Sequence, residues 1–266
     1  MLAVIRGAGD IASAIALRLV RCGASVLMTE IEQPLTVRRT VAFSEAVRMG
    51  KTQVEGVTAV RVRDASHALE LLSGEGVVPV LVDPACACVK DAAPDVVVDA
   101  VLAKRNLGTS MDMAPIVVGV GPGFTAGVDC HAVVETMRGH TLGRAYYEGS
   151  ALPNTAVPGL VGGFAGERVL RAPCDGVFRG VAAIGDHVEE GQVVAYTGDI
   201  PVFTTLTGVL RGLIADGVQV HQGLKCGDVD PRGQSGYCGL VSDKGLAVAG
   251  GVLEAILHLS GTFSAR

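Results

Sequence analysis

The first thirty residues place an apolar run, a glycine turn and a helical segment in an order that few folds use. The run that ends at Arg6 leads into Gly7-Ala-Gly9-Asp10-Ile-Ala12, and an alanine-rich segment follows at once. A second apolar run then ends at Glu30. This strand–turn–helix–strand–acid order is typical of a dinucleotide-binding βαβ unit. We therefore expect a Rossmann-like domain at the start of the chain.

The glycine turn has the residue types that phosphate binding requires. Gly7 permits a tight turn, Gly9 allows backbone N–H groups to approach a phosphate, and Glu30 would accept from ribose hydroxyls. Asp10 complicates this interpretation, because a carboxylate at a helix start caps the same N–H groups and repels phosphate. Arg6 could offset that charge. The alternative is a βαβ unit whose turn binds nothing.

Composition indicates which classes of partner and which cellular compartment to expect. The 266 residues suffice for two modest domains, and a formal charge of −5 without a long basic run argues against nucleic-acid binding. The sequence has no apolar stretch long enough to span a membrane and starts directly on a predicted strand, so we expect a cytoplasmic protein. Seven cysteines in such a chain are expected to be thiols. Cys86 and Cys88 are a close pair that could share a soft metal, although we favour small packing residues.

The order of elements predicts two domains and a returning helix. Strands alternating with helices indicate a Rossmann-like, mainly parallel sheet in residues 1–148, followed by a linker at 149–163. In residues 164–240, Gly176-Val-Phe-Arg-Gly180 repeats as Gly208-Val-Leu-Arg-Gly212 with a period of 32. This repeat predicts a small all-β barrel or sandwich. The segments Ala172-Pro173-x-Asp175-Gly176 and Gly185-Asp186-x-Val188-x-x-Gly191-Gln192 resemble biotinyl/lipoyl carrier domains, although the junction between the two halves has no lysine to be acylated. Residues 241–266 are predicted to form a C-terminal helix that packs back onto a domain.

Several loops that follow apolar strands are candidates for one binding site. They are the Gly7–Asp10 turn, Asp83, the loop 104–109 and the second glycine turn, 121–127. Loops after parallel strands gather at one edge of a sheet. Lys104 and Arg105 would add positive charge there, and Asn106 would add donors. The combination predicts a phosphate or other oxyanion as ligand, and the alternative for Lys104 and Arg105 is a solvated surface pair.

Asp129, His131 and Glu135 alternate along a predicted strand and would share one face. Such a set could hold a divalent metal or perform acid–base chemistry. We favour a polar, solvent-facing strand. The sequence therefore assigns no metal site and no catalytic residue.

Long motifs along nearly the whole chain resemble one family. They include Arg6-Gly-Ala-Gly-Asp-Ile-Ala, Leu35-Thr-Val-Arg38-Arg39, Ala103-Lys-Arg-Asn-Leu-Gly-Thr109, Gly119-Val-Gly-Pro-Gly-Phe-Thr and Gly227-Asp-Val-Asp-Pro-Arg-Gly233. The chain resembles YqeB-type accessory proteins of the selenium-dependent molybdenum hydroxylase system. The candidate binding residues, including those that match family motifs, are Gly7, Gly9, Asp10, Glu30, Arg38, Arg39, Lys104, Arg105, Asn106, Gly121, Gly123, Phe124 and Thr125.

The resemblance implies a maturation factor, with a molybdenum hydroxylase as protein partner. Its ligand would be nucleotide-bearing or oxyanionic, such as a molybdopterin dinucleotide or a selenium or molybdenum species. Two alternatives stay open, an NAD(P)-dependent oxidoreductase and a non-enzymatic scaffold that docks on the hydroxylase. No nucleic acid or membrane partner is expected, and the sequence leaves open whether the protein forms a homo-oligomer.

Overall fold

The backbone forms five α-helices and nineteen strands over residues 1–74, 76–155 and 157–263, which the computed structural model describes. The helices are α1 (Asp10–Arg21), α2 (Glu45–Met49), α3 (Ala65–Leu72), α4 (Val89–Ala92) and α5 (Asp243–Leu259). The first eleven strands are β1 (Leu2–Arg6), β2 (Ser25–Glu30), β3 (Lys51–Val54), β4 (Val57–Val62), β5 (Val77–Val82), β6 (Val96–Asp99), β7 (Ile116–Val120), β8 (Thr125–Ala126), β9 (Ala132–Val134), β10 (Ala145–Tyr146) and β11 (Gly149–Ser150). The others are β12 (Val169–Arg171), β13 (Gly176–Gly180), β14 (His187–Val188), β15 (Val193–Thr197), β16 (Ile200–Phe203), β17 (Gly208–Leu213), β18 (Gln219–Val220) and β19 (Lys225–Asp230).

The apolar opening run becomes the middle strand of a nine-stranded sheet. Its order is β10-β9-β7-β6-β1-β2-β5-β4-β3. Ala3, Val4 and Ile5 are fully buried, as expected for a strand covered on both faces. The seven strands from β9 to β4 in that order pair in parallel, whereas β10 and β3 pair antiparallel at the two edges. The sheet is therefore mixed.

The expected fold class, a Rossmann-like mainly parallel sheet followed by a small biotinyl/lipoyl-like barrel, is wrong. The structure has the large mixed sheet, a two-stranded sheet and two four-stranded antiparallel sheets. Over the described residues it shows no small closed barrel. One antiparallel edge arises from a local turn, because Glu55 and Gly56 both have positive φ, at 45° and 86°, and reverse the chain between β3 and β4.

The C-terminal helix α5 is capped at its first turn and packs closely against α1. The Ser242 hydroxyl accepts from the Gly245 amide and caps α5. A Cβ atom at Gly245 would lie 2.9 Å from the Ala14 Cβ, so α5 and α1 approach with almost no space between their backbones. None of the described helices is both long enough and apolar enough to cross a bilayer.

The chain divides into two units, neither of them continuous in sequence. The first comprises Met1–Pro34, Ala42–Thr155 and Val241–Arg266, and the second comprises Leu35–Val41 and Ala156–Leu240. Ala156 of the predicted linker and residues 264–266 of the predicted C-terminal segment lie outside the described residues.

The second unit contains two four-stranded antiparallel sheets, ordered β12-β19-β17-β14 and β16-β15-β13-β18. The repeated Gly-Val-x-Arg-Gly segments form β13 and β17, which lie in different sheets. Each pairs with a strand of the other copy, β13 with β18 and β17 with β14. Phe178, Leu210 and Ile214 are fully buried in the core. The segment Leu35–Val41 joins this unit, where the Val37 carbonyl accepts from the Leu213 amide at 2.9 Å.

Candidate functional site

The loops that follow five parallel strands meet at the carboxyl edge of the nine-stranded sheet. The strands β1, β2, β5, β6 and β7 end at Arg6, Glu30, Val82, Asp99 and Val120. Loops at this edge of a parallel sheet are where ligands bind in many α/β proteins. Four loops lie here. They are the first glycine turn (residues 7–10), the loop that begins at Asp83 after β5, the basic loop (residues 102–109) and the second glycine turn (residues 121–127).

Arg6 joins three of these loops through its buried guanidinium group. The Nε and Nη2 atoms donate to the Pro84 carbonyl oxygen at 3.2 and 3.0 Å, and Nη2 also donates to the Leu107 carbonyl oxygen at 3.0 Å. Nη1 donates to Asp99 Oδ2 at 3.2 Å and to Thr109 Oγ1 at 3.0 Å. These five bonds use all five guanidinium N–H groups. Arg6 thus pairs with Asp99 and holds these loops together, with its N–H groups already in use.

Asn106 shapes the basic loop with all four of its polar bonds. Its Oδ1 atom accepts from the amides of Gly108 at 2.9 Å and Thr109 at 2.7 Å. Its Nδ2 atom donates to the Thr109 carbonyl at 2.7 Å and to Asp129 Oδ1 at 3.2 Å. The other Asp129 oxygen accepts from the Thr125 amide at 2.8 Å. Asn106 and Asp129 therefore tie the basic loop to the second glycine turn.

Two glycines permit the close approach of the turns to the basic loop and the segment leading into it. A Cβ atom at Gly123, where φ is +108°, would lie 2.6 Å from the Arg105 Cα atom. At Gly7, with φ at +97°, a Cβ atom would lie 3.1 Å from the Ala100 carbonyl oxygen. Leu102 and Lys104 also have positive φ, at 60° and 64°. Such strained non-glycine residues concentrate at functional sites.

The first glycine turn offers less to a phosphate than its sequence predicts. Glu30 accepts from the Ala8 amide at 3.0 Å and from the Ile31 amide at 2.8 Å. Burial raises the pKa of Glu30, although both hydrogen bonds act against that effect. Asp10 begins α1 beside the same turn. A pyrophosphate at this turn would meet two carboxyl groups and one amide already in use, so these residues do not fit the expected dinucleotide grip.

Lys104 and Arg105 are exposed and extend from the strained loop. The Lys104 ammonium group donates to the Leu102 carbonyl at 3.3 Å. Within the part of the chain that the structure describes, no carboxylate lies at ion-pair distance from either side chain. Their charge is therefore exposed to solvent at the carboxyl edge, where an anion could reach it.

The other predicted residues of the second turn have structural roles. Phe124 is 4% exposed and packs over Gly119, where a Cβ atom would lie 2.5 Å from the Phe124 ring. The Thr125 hydroxyl bonds to the Ser150 hydroxyl at 2.9 Å. Gly121, with φ at +83°, lies against Thr136. These residues hold the turn in place.

Arg38 and Arg39 belong to the second unit and are not part of the cluster around Arg6. Arg38 donates to Asp228 Oδ2 at 2.7 Å, and Arg39 donates to the Leu213 carbonyl at 2.8 Å. Arg168 and Lys225 approach the same Asp228 oxygen at 3.8 Å. Asp228 is 1% exposed. Of the two arginines predicted as ligand-binding residues, Arg38 thus belongs to a buried charge cluster around Asp228, and Arg39 holds the Leu213 backbone.

Sequence reasoning missed several residues of both clusters. In the first unit these are Thr109, whose hydroxyl bonds both Arg6 and Asp99, and the Pro84 carbonyl oxygen. In the second unit they are Arg168 and Arg211, which are 6% and 7% exposed. Arg211 stands within an otherwise apolar strand, and a charged residue in such a position indicates a buried ion pair. The structure pairs it with Asp230 at 3.3 Å.

Asp129, His131 and Glu135 do not form a shared metal or acid–base site. His131 Nδ1 accepts from the Val117 amide at 2.9 Å. Glu135 is fully buried and accepts from three amides, those of Thr136, Met137 and Leu152, at 2.7–2.8 Å. Among the described residues, no group of three or more His, Cys, Asp or Glu side chains could hold a metal ion.

Comparison with known proteins points to one relative along nearly the whole chain. The chain is 52% identical over 258 residues to the uncharacterized protein YqeB of Escherichia coli (strain K12). The chain is thus similar to YqeB over almost all of its own length. The matched region is 97% of this chain and 48% of the relative, so the chain spans about half the length of the relative that it matches. No family model matches the chain.

Solved structures give only a remote likeness. An aspartoacylase family protein from Mesorhizobium loti is 13% identical, with 86% of this chain and 84% of that chain covered and a TM-score of 0.28. A succinylglutamate desuccinylase/aspartoacylase from Rhodobacter sphaeroides is 14% identical over the same shares, with a TM-score of 0.26. A likeness at this level supports no conclusion about the fold or the activity of this chain.

Proposed function

We propose that the carboxyl edge of the nine-stranded sheet binds a small oxyanionic or nucleotide-bearing ligand through Lys104 and Arg105. The observation that carries this proposal is the close approach of Gly123 to the Arg105 backbone, which holds the basic loop against the second glycine turn. Arg6 and Asn106 also hold this loop through part-buried hydrogen bonds, from Arg6 to the Leu107 carbonyl and from Asn106 to Asp129. Two exposed cations on a loop held in this way suit the recognition of an oxyanion.

We further propose that the chain acts as an accessory factor in the maturation of a selenium-dependent molybdenum hydroxylase. This part rests on the motif resemblance, which spans both glycine turns and the basic loop. A molybdopterin dinucleotide, or a selenium or molybdenum oxyanion, would then meet Lys104 and Arg105. The Glu30 and Asp10 carboxyl groups disfavour an anion at the first glycine turn, so the proposed contact lies at the basic loop.

The test combines native mass spectrometry with hydroxylase activity in a host strain that lacks this chain. We expect the wild-type protein from its own host to retain a small ligand, and the double variant Lys104→Ala with Arg105→Ala to lose it. The matched control removes two exposed cations elsewhere on the same unit, Lys51→Ala with Arg63→Ala. The control is expected to restore hydroxylase activity and the double variant is not.

Two outcomes would contradict the proposal. Full hydroxylase activity with the double variant would remove the role of the basic loop. Restored activity without any retained ligand in the wild-type protein would instead favour a scaffold that docks on the hydroxylase.

A further inference from the structure

Cys86 and Cys88 lie side by side in the loop that follows β5. They are 1% and 5% exposed, whereas Pro84, Ala85 and Ala87 around them are exposed. The Cys86 amide donates to the Asp83 carbonyl at 3.0 Å, and the Cys88 amide donates to the Asp83 carboxylate at 2.8 Å. This tight turn, with Cys86 at a φ of 55°, directs both thiols inward, into one hydrophobic cluster.

Three polar groups surround the two thiols. The Thr29 hydroxyl is 1% exposed and lies beside the Cys86 thiol, yet it makes no hydrogen bond of ordinary geometry within the described residues. The Asp83 carboxylate, which accepts from the Cys88 amide, adds negative charge beside the Cys88 thiol. Arg6 contributes a positive charge near Cys86. The interaction between the two thiols lowers the pKa of Cys86 against the effect of burial, and raises the pKa of Cys88.

We propose that Cys86 and Cys88 form a two-thiolate binding site for a soft monovalent metal ion such as Cu(I). Thiolate ligands select soft ions, and Cu(I) is among those that thiolates favour. A divalent ion such as zinc takes four ligands in a structural site, and the described residues offer no group of three acidic, histidine or cysteine side chains for one. The inference does not rest on the function proposed above.

The binding step balances without an oxidant or reductant. The ion forms two metal–sulfur bonds and remains monovalent, while each sulfur loses its proton to solvent. The proton of Cys88 leaves past the neighbouring Asp83 carboxylate. The complex carries one net negative charge, which Arg6 partly compensates. The Thr29 hydroxyl gains a sulfur acceptor that carries more negative charge than the neutral thiol.

The test measures Cu(I) uptake by the reduced protein under anaerobic conditions, with bicinchoninate as competing chelator. We expect one tightly held Cu(I) per chain, and loss of that ion in Cys86→Ser and in Cys88→Ser. Thr29→Val is expected to weaken binding by about tenfold, as a lost partner of a metal ligand does. X-ray absorption of the loaded wild-type protein should show two sulfur neighbours, which tests the site without any variant.

The matched control is Cys130→Ser, a fully buried thiol of the same unit, which should retain Cu(I) binding. Equal uptake by the wild-type protein and by folded Cys86→Ser and Cys88→Ser variants would overturn the proposal. So would coordination by three or more light atoms, or reduced thiols that bind no Cu(I) and only oxidise to a disulfide.

Discussion

Arg6 and Asp99 form an ion pair at 3.2 Å whose side chains are only 6% and 3% exposed, and the pair joins the carboxyl ends of β1 and β6. Removing one partner of a buried pair leaves the other charge without compensation, which is strongly destabilising. The pair also fixes Thr109, because Asp99 Oδ2 accepts from its hydroxyl at 2.6 Å. The anchor of the basic loop is therefore as sensitive to mutation as the core of the sheet.

We expect Asp99→Asn to lower the free energy of unfolding by about 3 kcal/mol, because the Arg6 charge stays buried without a counter-ion. Urea denaturation followed by circular dichroism measures the change. The control is Glu32→Gln at the exposed ion pair with Arg61, where the change should stay within about 1 kcal/mol. Similar losses for the two variants would contradict the role of the buried pair.

Gly123→Ala should displace the basic loop, since a Cβ atom there would lie 2.6 Å from Arg105 Cα. Gly127→Ala is the matched control. It has a similar positive φ, at +83°, and open space around the new methyl group, so it carries only the backbone cost of about 1 kcal/mol. Limited trypsin digestion measures the difference, through cleavage after Lys104 and Arg105. Faster cleavage is expected in Gly123→Ala alone, and equal rates in both variants would argue against the close approach.

Asp228 should make the second unit sensitive to acid. Burial alone would raise the pKa of Asp228, but Lys225 and Arg38 outweigh burial and hold the pKa at about 2. The unfolded chain binds the proton first, near pH 4, so the stabilisation is complete above that pH and is lost as the pH falls towards 2. We expect a loss of about 2 kcal/mol over this window.

Urea denaturation between pH 2 and pH 5 at constant ionic strength measures this loss. Asp228→Asn should be less stable at pH 5 and should lack this part of the pH dependence. A variant that keeps the full slope of the wild-type protein would show that another carboxyl group causes it.

Replacing either of two neighbouring glycines of α5 by alanine should shift the thermal midpoint, in opposite directions for the two positions. A Cβ atom at Gly251 would overlap the carbonyl oxygen of Gly143, whereas nothing lies within 4 Å of a Cβ atom at Gly250. Gly250→Ala should raise the thermal midpoint slightly, because alanine favours a helix over glycine by up to about 1 kcal/mol. Gly251→Ala should lower it by separating the helix from the Gly143 turn. A stabilised Gly251→Ala variant would contradict this packing.

Local sequence patterns predicted that several loops of the first unit meet at the carboxyl edge of the sheet. The apolar runs of β1, β2, β6 and β7 each lead into the turns that meet at the carboxyl edge. The fold class was nevertheless wrong. The antiparallel edges depend on short strands with little apolar periodicity, such as the two residues of β10. The Gly-Val-x-Arg-Gly repeats gave no indication that β13 and β17 belong to different sheets.

Contacts between distant residues could not be predicted from the local sequence. Arg6 bonds to groups 78 to 103 residues away, and no local motif indicates that its charge pairs with Asp99. The roles of Asn106 as a loop organiser and of Glu30 as an acceptor for the first turn also depend on the assembled loops. A motif match indicates that a suitable residue type lies at a binding position. It does not indicate whether the polar atoms of that residue already form hydrogen bonds within the protein.

The segment Leu35–Val41 has a consequence for how the protein is made and dissected. It completes the second unit, yet Arg38 and its partner Asp228 are 190 residues apart in the chain. During synthesis this segment leaves the ribosome long before β17 and β19 exist, so the second unit can close only after both strands have been made. A fragment limited to 156–240 would lack Arg38 and the Val37 carbonyl, and its failure to fold would say nothing about the intact chain.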